Sequence, residues 1–345
     1  MIGAKLIKWF KQNKRDLPWR NTTDPYKVWL SEIILQQTRV VQGMPYYISF
    51  VKTFPTVFDL AKAPEQKVLK LWQGLGYYSR ARNLHTAAKE VVKNYKGVFP
   101  SEFEELKKLK GVGDYTAAAI SSFCFNKPQA VVDGNVYRVL ARLFAIDTPI
   151  NSTEGKKQFA LLAQELIDEK NAGAYNQAIM EFGALYCTPH KPNCEACIFY
   201  DTCLSGSVGE ALSYPVKIAN KKTTTRYFEY FVIISKGNTY TQQRTDNDIW
   251  KNLHQFPLLE YAEKPTDEGV LEQLKKEILK TKTNSFEIIK QTAYKKHQLS
   301  HQTIFARFTY INAKKFTNLK YRQTTLKNLK KLPFPILLAN EISEL

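Results

Sequence analysis

The chain has 345 residues, enough for two domains with separate cores. Its apolar fraction of 44% and charged fraction of 24% are those of an ordinary globular protein, but 50 Lys and Arg against 32 Asp and Glu leave a net charge of +18. Such an excess favours a polyanionic partner, nucleic acid before membrane, and no apolar run approaches the roughly 20 residues that cross a bilayer. The opening residues, MIGAKLIKWFKQNKRDLPW, lack the apolar core and small-residue cleavage site of a signal peptide. The expectation is a cytoplasmic protein that binds nucleic acid. A basic surface that only keeps the chain soluble is the alternative.

Residues 1–20 predict a short basic amphipathic helix with Leu6, Ile7, Trp9 and Phe10 on its apolar side, ending at Leu17-Pro18-Trp19-Arg20. Asp24 then caps a second helix and Pro25 suits its first position. That helix, YKVWLSEIILQQT, sets Glu32 among Val28, Trp29, Ile33 and Ile34, where a carboxylate is costly to ionise and its pKa rises. The bland reading puts Glu32 at the solvent margin. Phe54-Pro55-Thr56 and Ala63-Pro64-Glu65 begin two short helices at their prolines. Gly74-Leu75-Gly76-Tyr77-Tyr78 interrupts the helical pattern and presents Leu75 and two aromatics beside Arg80 and Arg82. Such a loop suits base stacking with phosphate anchoring, although core aromatics would look similar. Further helices are predicted at 79–95, 101–109, 115–124, 134–145 and 154–169, and no strand before residue 220, so the first domain is all-α.

The stretch Leu109–Phe144 carries the densest signals. Gly111-Val112-Gly113 permits a tight turn, and the helix former that follows leaves outward N–H groups, a ready anion site. A plain connection between packed helices explains the same glycines equally well. Asp133 precedes the stripe Val136, Val139, Leu140 and Leu143, where it serves as an N-cap or as something more. Four of the five cysteines fall in the order Cys187-x6-Cys194-x2-Cys197-x5-Cys203. Four thiolates within 17 residues suit one tetrahedral zinc or one [4Fe–4S] cluster, and spacing alone leaves both open. Cys124, in an apolar helix, reads as a core residue.

Residues 204–225 lose periodicity and gain Ser, Gly and Lys, as an interdomain linker would. After them the texture is α+β, with strands at Tyr227–Ser235, Tyr240–Arg244, Phe286–Ala293 and Thr303–Ile311 and a basic helix at Val270–Lys280. That helix offers only Glu272 and Glu277, too few for the glutamate-rich metal site of a Nudix hydrolase.

Taken in order, LPWR, DPYKVWLSEIILQQT, LWQGLGYYSRARNL, LKGVGDYTAAAI, VVDGNVYRVLAR, NQAIMEFGALYCTP and the four cysteines resemble the MutY-type adenine DNA glycosylases of the helix-hairpin-helix superfamily. The resemblance covers the whole chain but is loose in the second domain, where Leu299-Ser300-His301 stands for the usual Phe-Ser-His. It implies an all-α catalytic region over 1–203, a six-helix barrel module plus an iron–sulfur module, then the 204–225 linker and a Nudix-like 8-oxoguanine-recognition domain over 226–345. It also implies that Cys187, Cys194, Cys197 and Cys203 hold a [4Fe–4S] cluster. The implied partner is double-stranded DNA with adenine opposite 8-oxoguanine or guanine, bound by a monomer and with no membrane role.

By the same resemblance Glu32 is the general acid that protonates the departing adenine, and Asp133 supports the sugar cation, with Tyr115 and Asn135 beside them. Gln37, Thr38, Leu75, Tyr77, Gly111, Gly113 and Arg20 would contact DNA, and Leu299, Ser300 and His301 would read 8-oxoguanine. The endonuclease III branch places a lysine nucleophile two residues after the second hairpin glycine. Tyr115 stands there instead, so the expectation is base removal without strand cleavage. A bifunctional pyrimidine glycosylase/lyase and a non-enzymatic iron–sulfur DNA sensor are the competing readings.

Overall fold

The computed structural model describes residues 2–219, 223–280, 286–343 and 345, so residues 220–222 of the expected linker lie outside the described residues. Contacts divide the chain into two compact units, Met1–Lys62 with Asn83–Ala219, and Ala63–Arg82 with Asn220–Leu345. The segment between the two parts of the helical unit therefore packs with the C-terminal one. Among the described residues no helix is long and apolar enough to cross a membrane.

The first unit is helical. Helix α1 (Ile2–Asn13) buries Leu6, Trp9 and Phe10, and a 3-10 turn over Pro18–Arg20 follows. Asp24 caps α2 (Pro25–Leu35) by accepting a hydrogen bond from the Tyr26 N–H at 3.0 Å. Helix α3 (Val40–Thr53) has no counterpart in the sequence reading, because Gly43 and Pro45 mask it. A proline inside a helix removes a backbone donor. Here the turn it interrupts faces water, since Val41 is 87% exposed.

Helix α4 (Val57–Lys62) completes this part, and α5 (Glu65–Leu71) belongs to the other unit. The helical unit resumes within α6 (Ser79–Tyr95) and continues through α7 (Phe103–Lys107), α8 (Asp114–Phe125), α9 (Gly134–Leu143), α10 (Thr153–Leu166) and α11 (Ala172–Leu185). The stripe Val136, Val139, Leu140 and Leu143 enters one core with Leu6, Trp9, Phe10 and Phe182. Trp9 meets Phe182 edge-on, with ring centroids 5.1 Å apart.

Gly111 and Gly183 are two of the glycines that allow close approach in this unit. Gly111 adopts φ +77, and a Cβ on it would lie 2.7 Å from Asn83 Cβ. Gly183 on α11 faces the start of α9, where a Cβ would lie 2.7 Å from Asn135 Cβ and 2.9 Å from the Asn135 carbonyl oxygen.

The C-terminal unit is α+β, as the strand-like texture predicts. β1 (Thr224–Ile234) lies parallel to β7 (Gln302–Ala313) from Thr224↔Gln302 to Ile234↔Asn312. β4 (Leu258–Tyr261) flanks β1, while β5 (Phe286–Gln291) and β6 (Lys295–Gln298) pair antiparallel with β7. A second sheet orders β3 (His254–Gln255), β2 (Asn238–Gln243) and β8 (Arg322–Thr325). The predicted basic helix is α12 (Asp267–Gln273), running on as a π-helical turn over Leu274–Leu279. It packs Val270, Leu274 and Ile278 against Phe231, Ile233 and Ile311. Glu272 and Glu277 are exposed on it. Helices α13 (Leu326–Leu329) and α14 (Ile336–Ser343) close the chain.

Gly183→Ala is expected to push α11 off Asn135 and to cost about 1–3 kcal/mol by overpacking. A drop in thermal midpoint measures it, and an unchanged midpoint would contradict the close contact.

Candidate active site

Helices α2, α8 and α9 each deliver one acidic or phenolic group to a cavity of about 190 Å³ in the helical unit. Glu32, Tyr115, Asp133 and Asn135 line it, together with Arg20 and Thr38. Six residues singled out in the sequence thus meet in one place, although they lie as much as 115 positions apart (135 − 20).

Glu32 is only 7% exposed, which settles its place against the solvent-margin reading. The Tyr115 hydroxyl donates to Glu32 Oε2 at 2.6 Å. Burial dominates the electrostatics and pushes the Glu32 carboxyl up to about 7; the Tyr115 bond and Arg20 pull against it, and Asp133 adds to it. At neutral pH a large share of Glu32 therefore carries its proton. Tyr115 is itself raised well above its ordinary range, by burial first and then by the two nearby carboxyls, and so stays a donor.

Asp133 does cap its helix: it accepts from the N–H groups of Asn135 at 2.9 Å and Val136 at 2.8 Å. Its other oxygen takes a hydrogen bond from Asn135 Nδ2 at 2.7 Å. Burial raises this carboxyl too, but all three of those bonds favour its ionised form. The cap and the cavity-facing acid are one residue.

Two contributors were invisible in the sequence. Glu181, whose side chain is fully buried, accepts from Arg15 Nη2 at 2.6 Å and from Arg20 Nη2 at 2.6 Å, and all three line the cavity. Despite burial, the hydrogen bonds of Arg20 and Arg15 hold the Glu181 carboxyl down at about 2. Arg138 donates to Asn135 Oδ1 at 2.9 Å, to the Gly183 carbonyl at 2.6 Å and, through Nε, to the Cys187 carbonyl at 2.8 Å. Apart from Gly134 and Asn135, which lie on the same helix turn as Arg138, their partners lie 45 to 166 positions away, so no local signal marks either.

The remaining predicted residues sort into four further places. Gly111-Val112-Gly113 forms the turn before α8, but the two glycines differ: Gly111 has positive φ, whereas Gly113 is extended at φ −97 and nothing lies within 4 Å of a Cβ built on it. Only Gly111 needs glycine for its backbone. Gln37, exposed at φ +53, follows α2 and does not line the cavity.

Leu75, Tyr77, Leu299, Ser300 and His301 line a second cavity of about 380 Å³, inside the C-terminal unit. Ser300 and His301 form the tip of the β6–β7 hairpin, closed by the Leu299 N–H donating to the Gln302 carbonyl at 2.8 Å, and the Ser300 hydroxyl lies 3.2 Å from His301 Nδ1.

Cys187, Cys194, Cys197 and Cys203 line one small cavity of the helical unit, and none is paired in a disulfide. Among the described residues no three His, Cys, Asp or Glu side chains are placed to hold a single metal ion. The sulfurs do have donors around them. Arg142 Nη1 lies 3.3 Å from Cys187 Sγ, the Phe199 N–H 3.4 Å from Cys197 Sγ and the Gly206 N–H 3.3 Å from Cys203 Sγ. A Cβ on Gly206 would come within 3.1 Å of Cys203 Sγ. Burial pushes the Cys197 thiol up to about 11, with the neighbouring cysteines adding to it. Cys124, outside this group, is only half-buried in α8.

Both parts of the chain have known relatives. Residues 30–168 match the model of the HhH-GPD superfamily of base excision DNA repair proteins, and residues 229–342 match the NUDIX domain. The adenine DNA glycosylase of Buchnera aphidicola subsp. Schizaphis graminum is 32% identical over 342 residues, 97% of this chain and 96% of that protein. The enzyme of the same name from Buchnera aphidicola subsp. Acyrthosiphon pisum is 35% identical over 74% of each chain. That of Homo sapiens is 45% identical over 58% of this chain and 38% of its own length. Among solved structures, a thermostable thymine-DNA glycosylase is 30% identical with a TM-score of 0.56, covering 60% of this chain and 95% of its own. A non-covalent endonuclease III–DNA complex, at 21% identity and a TM-score of 0.52 over 60% of this chain and 94% of its own, shares the fold.

Tyr115→Phe removes the bond that favours ionised Glu32, so the Glu32 pKa rises. The acid form persists to higher pH, and the alkaline limb of the single-turnover rate moves up by about one pH unit. A limb that stays put, or moves down, would show that the bond does not set the proton on Glu32.

Proposed function

Since the chain belongs to the adenine DNA glycosylase family, we propose that it removes adenine paired with 8-oxoguanine, and with guanine, without cutting the strand. Adenine excision from DNA is its activity. The observation that carries the assignment of residues is Glu32 held by Tyr115 across one cavity from Asp133.

Adenine inside a duplex is out of reach, so the nucleotide is extruded and the gap in the stack must be filled. Tyr77 on the Gly74–Tyr78 loop and the exposed Gln37 are the side chains for that task, whereas Leu75 of the same loop is buried. Tyr77 is 46% exposed on a turn with φ +47, a conformation kept by its surroundings rather than by its own preference. The open backbone at Gly113 and the N-terminus of α8 serve a phosphate.

Adenine leaves poorly as an anion, so protonation of a ring nitrogen comes first, and the buried Glu32 carboxyl is the donor. Bond breaking then builds positive charge on the sugar. Asp133, kept anionic by Asn135 and Val136, stabilises it while water completes the hydrolysis. Arg20 is oriented by Glu181 beside the base. No lysine is among the residues lining the cavity, and Tyr115, occupying the position where a lyase carries its amine, gives its hydroxyl to Glu32 instead. That supports a monofunctional enzyme.

The four cysteines fit an iron–sulfur cluster better than a zinc ion, because they surround a cavity instead of converging on a point. Cys187, Cys194, Cys197 and Cys203 would hold a [4Fe–4S] cluster, which supplies cross-linking of the 187–203 loop and no chemistry at the base. Arg142 supports this assignment: it is buried and donates to Cys187 Sγ and to the carbonyls of Thr188, Pro189 and Ala211. The hairpin tip Leu299-Ser300-His301 is the reader of 8-oxoguanine. Leucine in place of the usual phenylalanine keeps the apolar contact.

A duplex with adenine opposite 8-oxoguanine, assayed with and without alkali, tests this reading. The parent protein is expected to leave an abasic site that breaks only after alkali, and Glu32→Gln to lower the rate at least about a hundredfold. Strand breakage without alkali, or efficient trapping by borohydride, would make it a lyase. Protein purified without air should carry about four irons per chain, whereas a single zinc would overturn the cluster.

A further inference from the structure

The Gly74–Tyr78 loop is built into the C-terminal unit by a set of long-range hydrogen bonds that the reaction scheme does not use. Two loops of that unit grip the segment Ala63–Arg82. At the first, Asn252 Nδ2 donates to Glu65 Oε1 at 2.6 Å, Gln66 Nε2 donates to the Asn252 carbonyl at 3.1 Å, and Arg82 Nη1 donates to the Lys251 carbonyl at 2.9 Å. At the second, Lys70 Nζ donates to the Leu332 carbonyl at 3.1 Å, the Phe334 N–H to Gln73 Oε1 at 3.2 Å, and the Tyr78 hydroxyl to the Phe334 carbonyl at 3.2 Å. The grips fall on both sides of the loop that carries Leu75 and Tyr77.

Asn252 is the centre of the first grip. Its backbone stands at φ +67, a region that asparagine tolerates better than most residues. Its own N–H donates to the Arg244 carbonyl at 2.7 Å, and its carbonyl also accepts from Gln243 Nε2 at 3.0 Å. The side-chain amide is thereby aimed at Glu65, at the first turn of α5. The same unit holds the Leu299–His301 tip, and the two loops line one cavity.

We propose that Asn252, through Glu65, is a positioning residue that fixes the Gly74–Tyr78 loop against the Leu299–His301 hairpin, so that reading the base opposite adenine and filling the gap left by adenine are done by one rigid piece. This rests on the reading of Leu299–His301 as the 8-oxoguanine sensor. Loosening the grip leaves the chemical groups of the helical unit in place but uncouples base sensing from insertion. The loss therefore falls on the preference for 8-oxoguanine over guanine.

Single-turnover excision of adenine opposite 8-oxoguanine and opposite guanine tests it, in the parent and in variants that reverse the bond. Asn252→Asp keeps the backbone conformation but sets two carboxylates face to face, and is expected to cut the preference at least about fivefold. Asn252→Asp with Glu65→Gln exchanges donor and acceptor and should restore most of it, a recovery that a general packing defect would not give. Should Asn252→Asp fail to fold, Glu65→Ala is expected to show the same loss. Unchanged preference in Glu65→Ala, or a loss that the double variant does not recover, overturns the proposal. A parent without any preference overturns the sensor reading and this inference with it, so the two failures are distinguishable.

Discussion

The proposed chemistry needs a proton on Glu32 and a charge on Asp133 within one small cavity, and much of the helical unit can be understood as the means of keeping them different. Both carboxyls lose solvent, so both are pushed toward the neutral form. What separates them is their hydrogen bonds. Glu32 receives one side-chain donor, Tyr115, while Asp133 sits at a helix N-terminus with two backbone donors and one amide. A helix start is the cheapest place to stabilise an anion, because its N–H groups are unpaired in any case. The buried middle of α2 offers nothing of the kind, so a large share of its acid keeps its proton at neutral pH.

That division has structural requirements beyond the acids. Asn135 must face Asp133, and it can do so only because Gly183 lets α11 come close and because Arg138 holds its carbonyl end. Arg138 also binds the carbonyl of Cys187, and Arg142, one turn later on α9, binds the sulfur. One helix therefore carries the anion clamp at its first turn and the supports of the cysteine loop along its length. Damage to the cysteine loop has a direct route to Asp133 through Arg138 and Asn135. No conformational change need be invoked.

The sequence made legible what is local. A capping Asp before Pro25, an Asp before an apolar stripe, a glycine turn before a small-residue helix and four spaced cysteines each declare themselves within 17 residues or fewer. The acid–base pair was legible as two separate signals, each with a bland alternative, and it took the meeting of α2, α8 and α9 to join them. Glu181 was not legible at all: a Glu in NQAIMEFGALYCTP gives no hint that it will take two arginines from the other end of the unit. Helix α3 hid behind Gly43 and Pro45. β6 reads Lys-Lys-His-Gln, mostly exposed and without apolar alternation, and forms because β7 offers it an edge. Strand propensity is a statement about packing partners, and here the partner follows it in the chain.

The segment 63–82 shows the same principle at the level of domains. Helical periodicity assigns it to the helical region that surrounds it in sequence, whereas its contacts assign it to the sheet-bearing unit. Chain continuity constrains only its ends. Its interior is free to choose the partner that best satisfies its buried groups, and the polar ends of Lys70, Gln73 and Tyr78 find backbone partners at 332–334. A loop that enters DNA exposes aromatic surface while unbound, so it needs rigid anchorage on either side to avoid collapsing onto its own core. Anchoring it on the unit that reads the opposite base places two functions on one support. Each then constrains how the other can change.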